Sequence, residues 1–109
     1  VSRLFVRSGR QIVPVAVADI TWLEAVGDYV AVHTAQLETA PLVHVTLQRL
    51  AARLDVARFV RIHRTHIVNL DQVQAFRQSE GSRLVAQLRS GQELAVSRNM
   101  AQELRYLAR

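Results

Sequence analysis

Isolated glycines between short β-rich runs constrain the fold of this chain more than any other feature of its sequence. Gly9 and Gly91 each follow a serine at the centre of such a break. Glycine adopts the positive φ that short hairpin turns require, so both breaks predict a β-hairpin. The runs that flank the two turns are Leu4 to Arg7 with Gln11 to Val15, and Leu84 to Leu88 with Glu93 to Val96. Pro14 cannot donate a ladder hydrogen bond, so the second run should end there or lie at a sheet edge.

A further pair of β-rich runs lies between these hairpins. Ile20 to Glu24 and Tyr29 to Thr34 are separated by Ala25 to Asp28, a loop that contains Gly27. Their enrichment in β-branched and aromatic residues predicts two strands joined by a hairpin-like connection. Leu42 to Val45 predicts another short strand.

Two segments carry helix signals. Thr46 is a suitable N-cap for a helix on which leucines at 47, 50 and 54 form one apolar stripe, and Ser97 is a suitable N-cap for a closing helix. The apolar positions of the closing helix are Met100 or Ala101, Leu104, Leu107 and Ala108. We therefore expect a mainly β fold with one or two short helices, formed by residues 1–109 as a single domain.

Residues 59–70 begin and end as strand but carry polar side chains in the middle. Val60 and Ile62 alternate with Arg61 and His63, which predicts one apolar face until Arg64 and Thr65 interrupt it. We expect the chain to present polar groups at this interruption.

Composition removes several kinds of protein. The 109 residues include no cysteine, which excludes a disulfide scaffold, a thiolate zinc site and a thiol nucleophile. No apolar run approaches the roughly 20 residues that span a bilayer. The start, Val1-Ser2-Arg3, has neither an initiator Met nor a signal-peptide apolar region, so we expect a piece of a longer protein.

The positive charge of the chain is concentrated in its second half. All 14 cationic side chains are arginines, whose planar fork binds phosphate and guanine bidentately. Residues 58–98 carry seven arginines and three acids, whereas residues 11–57 carry two arginines and five acids. This distribution favours a polyanionic partner, although a merely soluble basic surface would have the same composition.

Catalytic chemistry is poorly supported by the sequence. Neither Ser8 nor Ser90 lies in a nucleophile elbow, and the four glycines are too isolated for a phosphate loop, so we expect no nucleotide and no other cofactor. Glu24 is expected to pair with a neighbouring arginine. His63 and His66 could bind a metal only if a turn at residues 64–65 brought them together, because strand residues three apart point to opposite faces.

Three segments carry side chains of the types that a DNA-reading surface uses. They are Gly27-Asp28-Tyr29, His63-Arg64-Thr65 and Ser97-Arg98-Asn99. Arginine satisfies guanine O6 and N7 together, asparagine pairs with adenine, and hydroxyls reach phosphates. This chemistry permits DNA binding without proving it.

The sequence resembles the LytTR family of bacterial DNA-binding domains over nearly its whole length. The block from Phe59 to Asn69, FVRIHRTHIVN, is the most specific part of the resemblance. The other matching segments are Ile20 to Val30, Thr46-Leu47 at the start of a helix, and Gly91 to Arg98.

The resemblance implies an elongated stack of small antiparallel sheets that contacts DNA through loops. It places Asp28 and Tyr29 in the first contact loop, His63, Arg64 and Thr65 in the second, and Arg98 and Asn99 in the third. It further implies a cytoplasmic response-regulator output domain in a two-component system, with a receiver or other regulatory domain preceding it. Pairs of such domains bind repeated elements in double-stranded DNA, so a homodimer on DNA is expected.

Some residues of the matching segments have other expected roles. Thr65 stands where serine is commoner in the family, and His66 where an aromatic residue is common. Asn69 is expected to tie a strand end to neighbouring backbone, and Trp22 to pack in the core. For Arg61, a solvated sheet face and a phosphate contact are equally consistent with the sequence.

Two other functions stay open at this point. One is a β module for protein interaction or ligand sensing that does not bind DNA. In that case the arginines are only solvent-exposed surface residues. The other is a small metal-dependent hydrolase that uses His63 and His66.

Overall fold

The first hairpin forms a sheet of its own. The computed structural model describes all residues from Val1 to Arg109. Strands β1 (Arg3–Ser8) and β2 (Gln11–Ala16) pair antiparallel, and Gly9 takes a φ of 61° in the turn between them. Because this sheet has only two strands, both are edges, and Pro14 is accommodated opposite Phe5 without ending β2.

A five-stranded sheet occupies the middle of the molecule. Its strands are β3 (Ile20–Val26), β4 (Tyr29–Thr34), β5 (Leu42–Val43), β6 (Phe59–His63) and β7 (His66–Asn69). They are ordered β5-β4-β3-β7-β6, and every pairing is antiparallel. The expected loop over residues 25–28 is wrong in extent, because Ala25 and Val26 continue β3 and only Gly27 and Asp28 form the turn. The predicted strand at residues 42–45 is likewise shorter than expected.

The last sheet has three strands. It is built from β8 (Val73–Gln78), β9 (Leu84–Leu88) and β10 (Glu93–Ala95) in the order β10-β9-β8. The hairpin around Gly91, whose φ is 96°, is the one that the sequence predicts. Strand β8 has no counterpart among the predicted strands.

Both helices begin where their caps predict. Helix α1 (Leu47–Ala51) starts after Thr46, whose hydroxyl accepts from the Arg49 N–H at 3.1 Å. Helix α2 (Arg98–Leu107) starts after Ser97, whose hydroxyl accepts from the Met100 N–H at 3.2 Å. Neither helix has the length and apolar character needed to cross a membrane.

Two apolar cores join the three sheets into one stack. Alternate residues of β3 and β7 enter opposite cores, so that Leu23 and Ile67 pack toward the first sheet and Trp22 and Val68 toward the third. Burial of both faces explains why β3 is almost continuously apolar. The molecule measures 46 × 25 × 25 Å, which confirms the elongated stack of small antiparallel sheets.

Candidate nucleic-acid interface

The second candidate segment is a tight turn between β6 and β7. Arg64 and Thr65 form this turn, and His63 lies opposite His66 across it. The two imidazole rings are stacked, with their centroids 5.0 Å apart. The turn therefore brings together two histidines that an unbroken strand would have separated.

Thr65 fixes the shape of this turn. Its hydroxyl lies 2.9 Å from His63 Nδ1 and 3.1 Å from His66 Nδ1, and its backbone N–H donates to His63 Nδ1 at 3.2 Å. The Arg61 guanidinium donates to the Arg64 carbonyl, which holds the other side of the turn. As a result the backbone is tied down while the Arg64 side chain remains exposed.

The pKa of His63 is lowered from its ordinary value of 6.5. Partial burial is the main cause, and the neighbouring His66 and Arg64 also disfavour the charged ring. The Thr65 N–H points at His63 Nδ1, and only an unprotonated nitrogen can accept it. Both effects favour the neutral form of the His63 ring. The exposed cation of the turn is therefore Arg64.

Stacked aromatic side chains pack against the β6–β7 turn. Trp22 is 8% exposed, stacks on His33 with centroids 4.0 Å apart, and meets His66 edge-on at 5.3 Å. The predicted core role of Trp22 is thereby confirmed. Glu24 accepts from His33 Nε2 at 2.9 Å, so the expectation that it pairs with an arginine is wrong. Strand pairing places His33 beside Glu24 on the same sheet face, which the linear sequence does not show.

The first candidate segment is the β3–β4 turn. Gly27 has a φ of 57°, Asp28 is exposed, and Tyr29 is the first residue of β4 with 45% of its surface exposed. The Tyr29 ring lies 5.1 Å from that of His44, and both line a cleft of about 350 Å³ together with Arg49.

The sequence did not indicate that His44 and Arg49 lie beside this turn. Val30 pairs with Val43, and this register brings His44 next to Tyr29. The segment that contains His44 is predicted as a strand, but nothing in its own pattern indicates its partner strand.

The third candidate segment lies at a helix start and not in a loop. Ser97 is the N-cap, and Arg98 and Asn99 are the first two residues of α2. The assignment of Arg98 and Asn99 to a contact loop is therefore corrected, because the capped turn draws both into the helix. Their side chains are nevertheless exposed.

Two backbone hydrogen bonds bring the three segments to one end of the central sheet. The Ala25 N–H donates to the Thr65 carbonyl at 2.9 Å, which joins the first turn to the second. The Ser97 N–H donates to the Ile62 carbonyl at 2.8 Å, which joins the second turn to the start of α2. All seven candidate residues thus lie in or next to three chain segments that are joined by backbone hydrogen bonds.

Most of the arginines have no acidic partner. Only two of the fourteen form ion pairs, Arg58 with Asp71 at 2.9 Å and Arg77 with Glu93. Arg64 and Arg98 are among the unpaired ones, and they are fully available to a polyanion.

The histidines do not assemble a metal centre. Although the turn at residues 64–65 brings His63 and His66 together, no group of three or more histidines or acids is placed to hold a metal ion. A pair of ligands falls short of the three or four that zinc sites use.

An antiparallel β domain with two exposed, unpaired arginines at one end of its central sheet, one in a turn and one at a helix start, has the make-up of a nucleic-acid-binding module. The family model of the LytTr DNA-binding domain matches residues 10–108. The chain therefore belongs to the LytTR family of DNA-binding domains, and the family resemblance inferred from the sequence is confirmed.

Two individual proteins are similar to this chain. The chain is 40% identical over 92 residues to the CO-responsive transcriptional regulator RcoM of Rhodospirillum rubrum, a match that covers 83% of this chain and 38% of RcoM. A solved LytTr DNA-binding domain, from a Bacillus cereus protein described as a methyl-accepting/DNA response regulator, matches with a TM-score of 0.85 at 24% identity. That match covers 97% of this chain and 95% of the other, and it shows the shared fold.

Proposed function

We propose that residues 1–109 form one domain that binds DNA sequence-specifically as the output module of a bacterial transcription regulator. The observation that carries the proposal is the convergence of three exposed polar segments at one end of the central sheet, held by the Ala25–Thr65 and Ser97–Ile62 hydrogen bonds. A surface that reads bases must hold several side chains in fixed relative positions, and these bonds supply that rigidity.

Arg64 and Arg98 are the proposed base-reading residues. Both are exposed and unpaired, and a guanidinium can donate to O6 and N7 of one guanine. Asn99, beside Arg98 in the first turn of α2, has the amide that pairs with adenine.

The remaining candidate residues are proposed to position the domain. Tyr29 and Thr65 carry hydroxyls suited to phosphate oxygens, and His63 orients Thr65. Asp28 has no charge attraction to phosphate, so its role is as an acceptor from a base amino group or as part of the first turn.

The partners of the domain follow from the family and from its relatives. We propose that two copies bind repeated elements in double-stranded DNA and form a homodimer there. The full-length protein would be cytoplasmic, with an N-terminal receiver, as in a two-component response regulator, or another regulatory domain. The assignment of RcoM and the Bacillus cereus protein as regulators supports a regulatory role. In this proposal the domain is not an enzyme and uses no cofactor or small-molecule substrate.

Selection from a random duplex library tests the proposal. The purified domain should enrich a short element, present twice at a fixed spacing, in successive rounds of selection. Arg64→Ala and Arg98→Ala proteins should enrich it less strongly, each with the preference lost at a different base position. If the wild-type domain binds no duplex, a β interaction module that does not bind DNA becomes the better description. Equal binding to all duplexes would refute the sequence-specific reading of DNA.

A further inference from the structure

A second group of arginines surrounds a cleft between α2 and the loop that joins β8 to β9. The cleft has a volume of about 390 Å³, and its charged lining residues are Arg83, Arg98 and Arg105. No aspartate or glutamate lines it. Arg83 and Arg105 are not among the candidate contact residues found from the sequence.

Helical spacing places one wall of the cleft. Arg98, Gln102 and Arg105 lie on one face of α2, because residues three or four apart are neighbours on a helix surface. Arg83 ends the β8–β9 loop and supplies the opposite wall.

A hydrogen bond ties the two walls together. The Arg105 guanidinium donates to the carbonyl of Ser82 at 2.9 Å. Ser82 has a φ of 66°, a left-handed conformation that is uncommon outside glycine. The bond therefore holds the loop in a defined position against the helix, and the cleft is shaped before any ligand arrives.

The charges of the cleft are uncompensated. None of its three arginines forms an ion pair. Like charges around one concave surface repel each other, and an anion bound among them removes that repulsion. Guanidinium groups match the geometry of phosphate oxygens, with two parallel N–H donors from each side chain.

We propose that this cleft binds a phosphate of the DNA backbone next to the base that Arg98 contacts. The proposal rests on the proposed function, since it assigns Arg83 and Arg105 to the same DNA complex. Arg98 belongs to both surfaces, so a phosphate in the cleft would lie beside the base-reading site. A free phosphate compound shares this chemistry, and the experiment must distinguish the two sources.

The test compares duplex binding by Arg83→Gln, Arg105→Gln and the double variant over a range of salt concentrations. Each single variant should bind about tenfold more weakly to the selected element and to random duplex alike, because a backbone contact carries no sequence information. The slope of log K against log[salt] should become shallower by about 0.9 for each lost phosphate contact. Arg105→Lys keeps the charge but loses the fork, so it should retain the wild-type slope with intermediate affinity.

Arg53→Gln is the matched control. Arg53 is exposed and unpaired but lies outside the cleft, after the end of α1. Its loss should therefore leave the duplex affinity and the slope of log K against log[salt] unchanged. Melting curves of every variant check that the fold is intact, since Arg105→Gln also removes the bond to Ser82.

The outcomes separate this inference from the function it rests on. If the wild-type domain binds no duplex, the proposed function fails. If it binds duplex and the folded cleft variants keep its affinity and salt slope, the phosphate cleft is refuted while the function stands. Calorimetric titration with inorganic phosphate covers the other source: phosphate binding that the variants lose, with duplex affinity unchanged, would assign the cleft to a free ligand and overturn the proposal.

Discussion

Arg64 and Arg98 occupy positions that are alike in exposure but different in backbone. Arg64 is at the tip of a hairpin turn, whereas Arg98 is the first residue of a capped helix. The backbone at each position is fixed by hydrogen bonds that do not involve that arginine's own guanidinium. Thr65 makes the bond near Arg64, and Ser97 makes the bond near Arg98. At the scale of single residues, the fold is therefore separable from the contact chemistry.

This separation predicts the behaviour of alanine variants. Arg64→Ala and Arg98→Ala should each cost about 1 to 3 kcal/mol on the selected element and relax preference at a different base position. The two losses should be nearly additive, since the side chains share no partner, and melting temperatures should change little. Binding to single-base substitutions of the element measures both effects. Equal losses on cognate and random duplexes would mean that these arginines contact only phosphates.

The lowered pKa of His63 predicts a pH dependence with opposite signs for stability and for binding. The unfolded chain binds this proton near pH 6.5 and the folded domain only at lower pH, so stability should fall as the pH drops below about 6.5. Duplex DNA nearby favours the charged ring, so binding should take up a proton and strengthen over the same interval. His63→Gln should flatten both curves, as measured by denaturant unfolding and fluorescence anisotropy from pH 5 to 8. Identical pH profiles for the variant and the wild type would contradict this account.

At the scale of elements, the junction between β3 and β7 depends on one buried amide. Asn69 is fully buried; its Nδ2 donates to the Ile20 carbonyl at 2.8 Å, and its Oδ1 accepts from the Asp71 N–H at 3.0 Å. The side chain thereby joins the end of β7 to the start of β3. This confirms the expectation that Asn69 ties a strand end to neighbouring backbone.

Removing that amide should destabilise the whole sheet. Asn69→Ala leaves a carbonyl and an N–H without their partner, at a cost of about 3 kcal/mol in the free energy of unfolding. Asn99→Ala is the control, because that amide is exposed in the first turn of α2 and its loss should cost less than about 0.5 kcal/mol. Urea unfolding followed by circular dichroism compares the two. Similar stabilities for both variants would show that the Asn69 hydrogen bonds contribute little.

At the scale of the whole molecule, the candidate interface takes up only one part of an elongated body. The molecule is 46 Å long and 25 Å wide, and the three segments meet at one end of its central sheet. One domain can therefore contact a limited stretch of duplex. The second copy that we propose would lengthen the stretch of duplex that is contacted.

The proposal that two domains bind repeated elements as a homodimer predicts that both domains face the same side of the duplex. Inserting about 5 base pairs between the repeats rotates one element by half a turn of a helix with roughly 10 base pairs per turn. Cooperative binding should collapse with this insertion and recover when about 10 base pairs are inserted. Gel-shift titrations of the series measure it, with a single-element duplex as the control. Equal affinity at every spacing would show that the domains bind independently.

Local features of the sequence predicted most of the elements correctly. The hairpin at Gly91 and the helix starts after Thr46 and Ser97 depend on turn conformation and on hydrogen bonds between residues close in the chain. Strand β8 is not predicted by the sequence because only two of its six residues, Val73 and Phe76, are partly buried. A strand with so few buried positions lacks the regular alternation that identifies strands.

The sequence by itself therefore determined the element types, the mainly β class and the family, together with the residue types suited to DNA. Only the tertiary structure decided that the first turn, the second turn and the start of α2 meet, that Glu24 pairs with His33, and that Arg83 and Arg105 face one cleft. The physical reason is that turns and caps form between neighbours in sequence, whereas these meetings depend on strand order and register. Strand register is set by the packing of whole faces against two cores, which no single segment encodes.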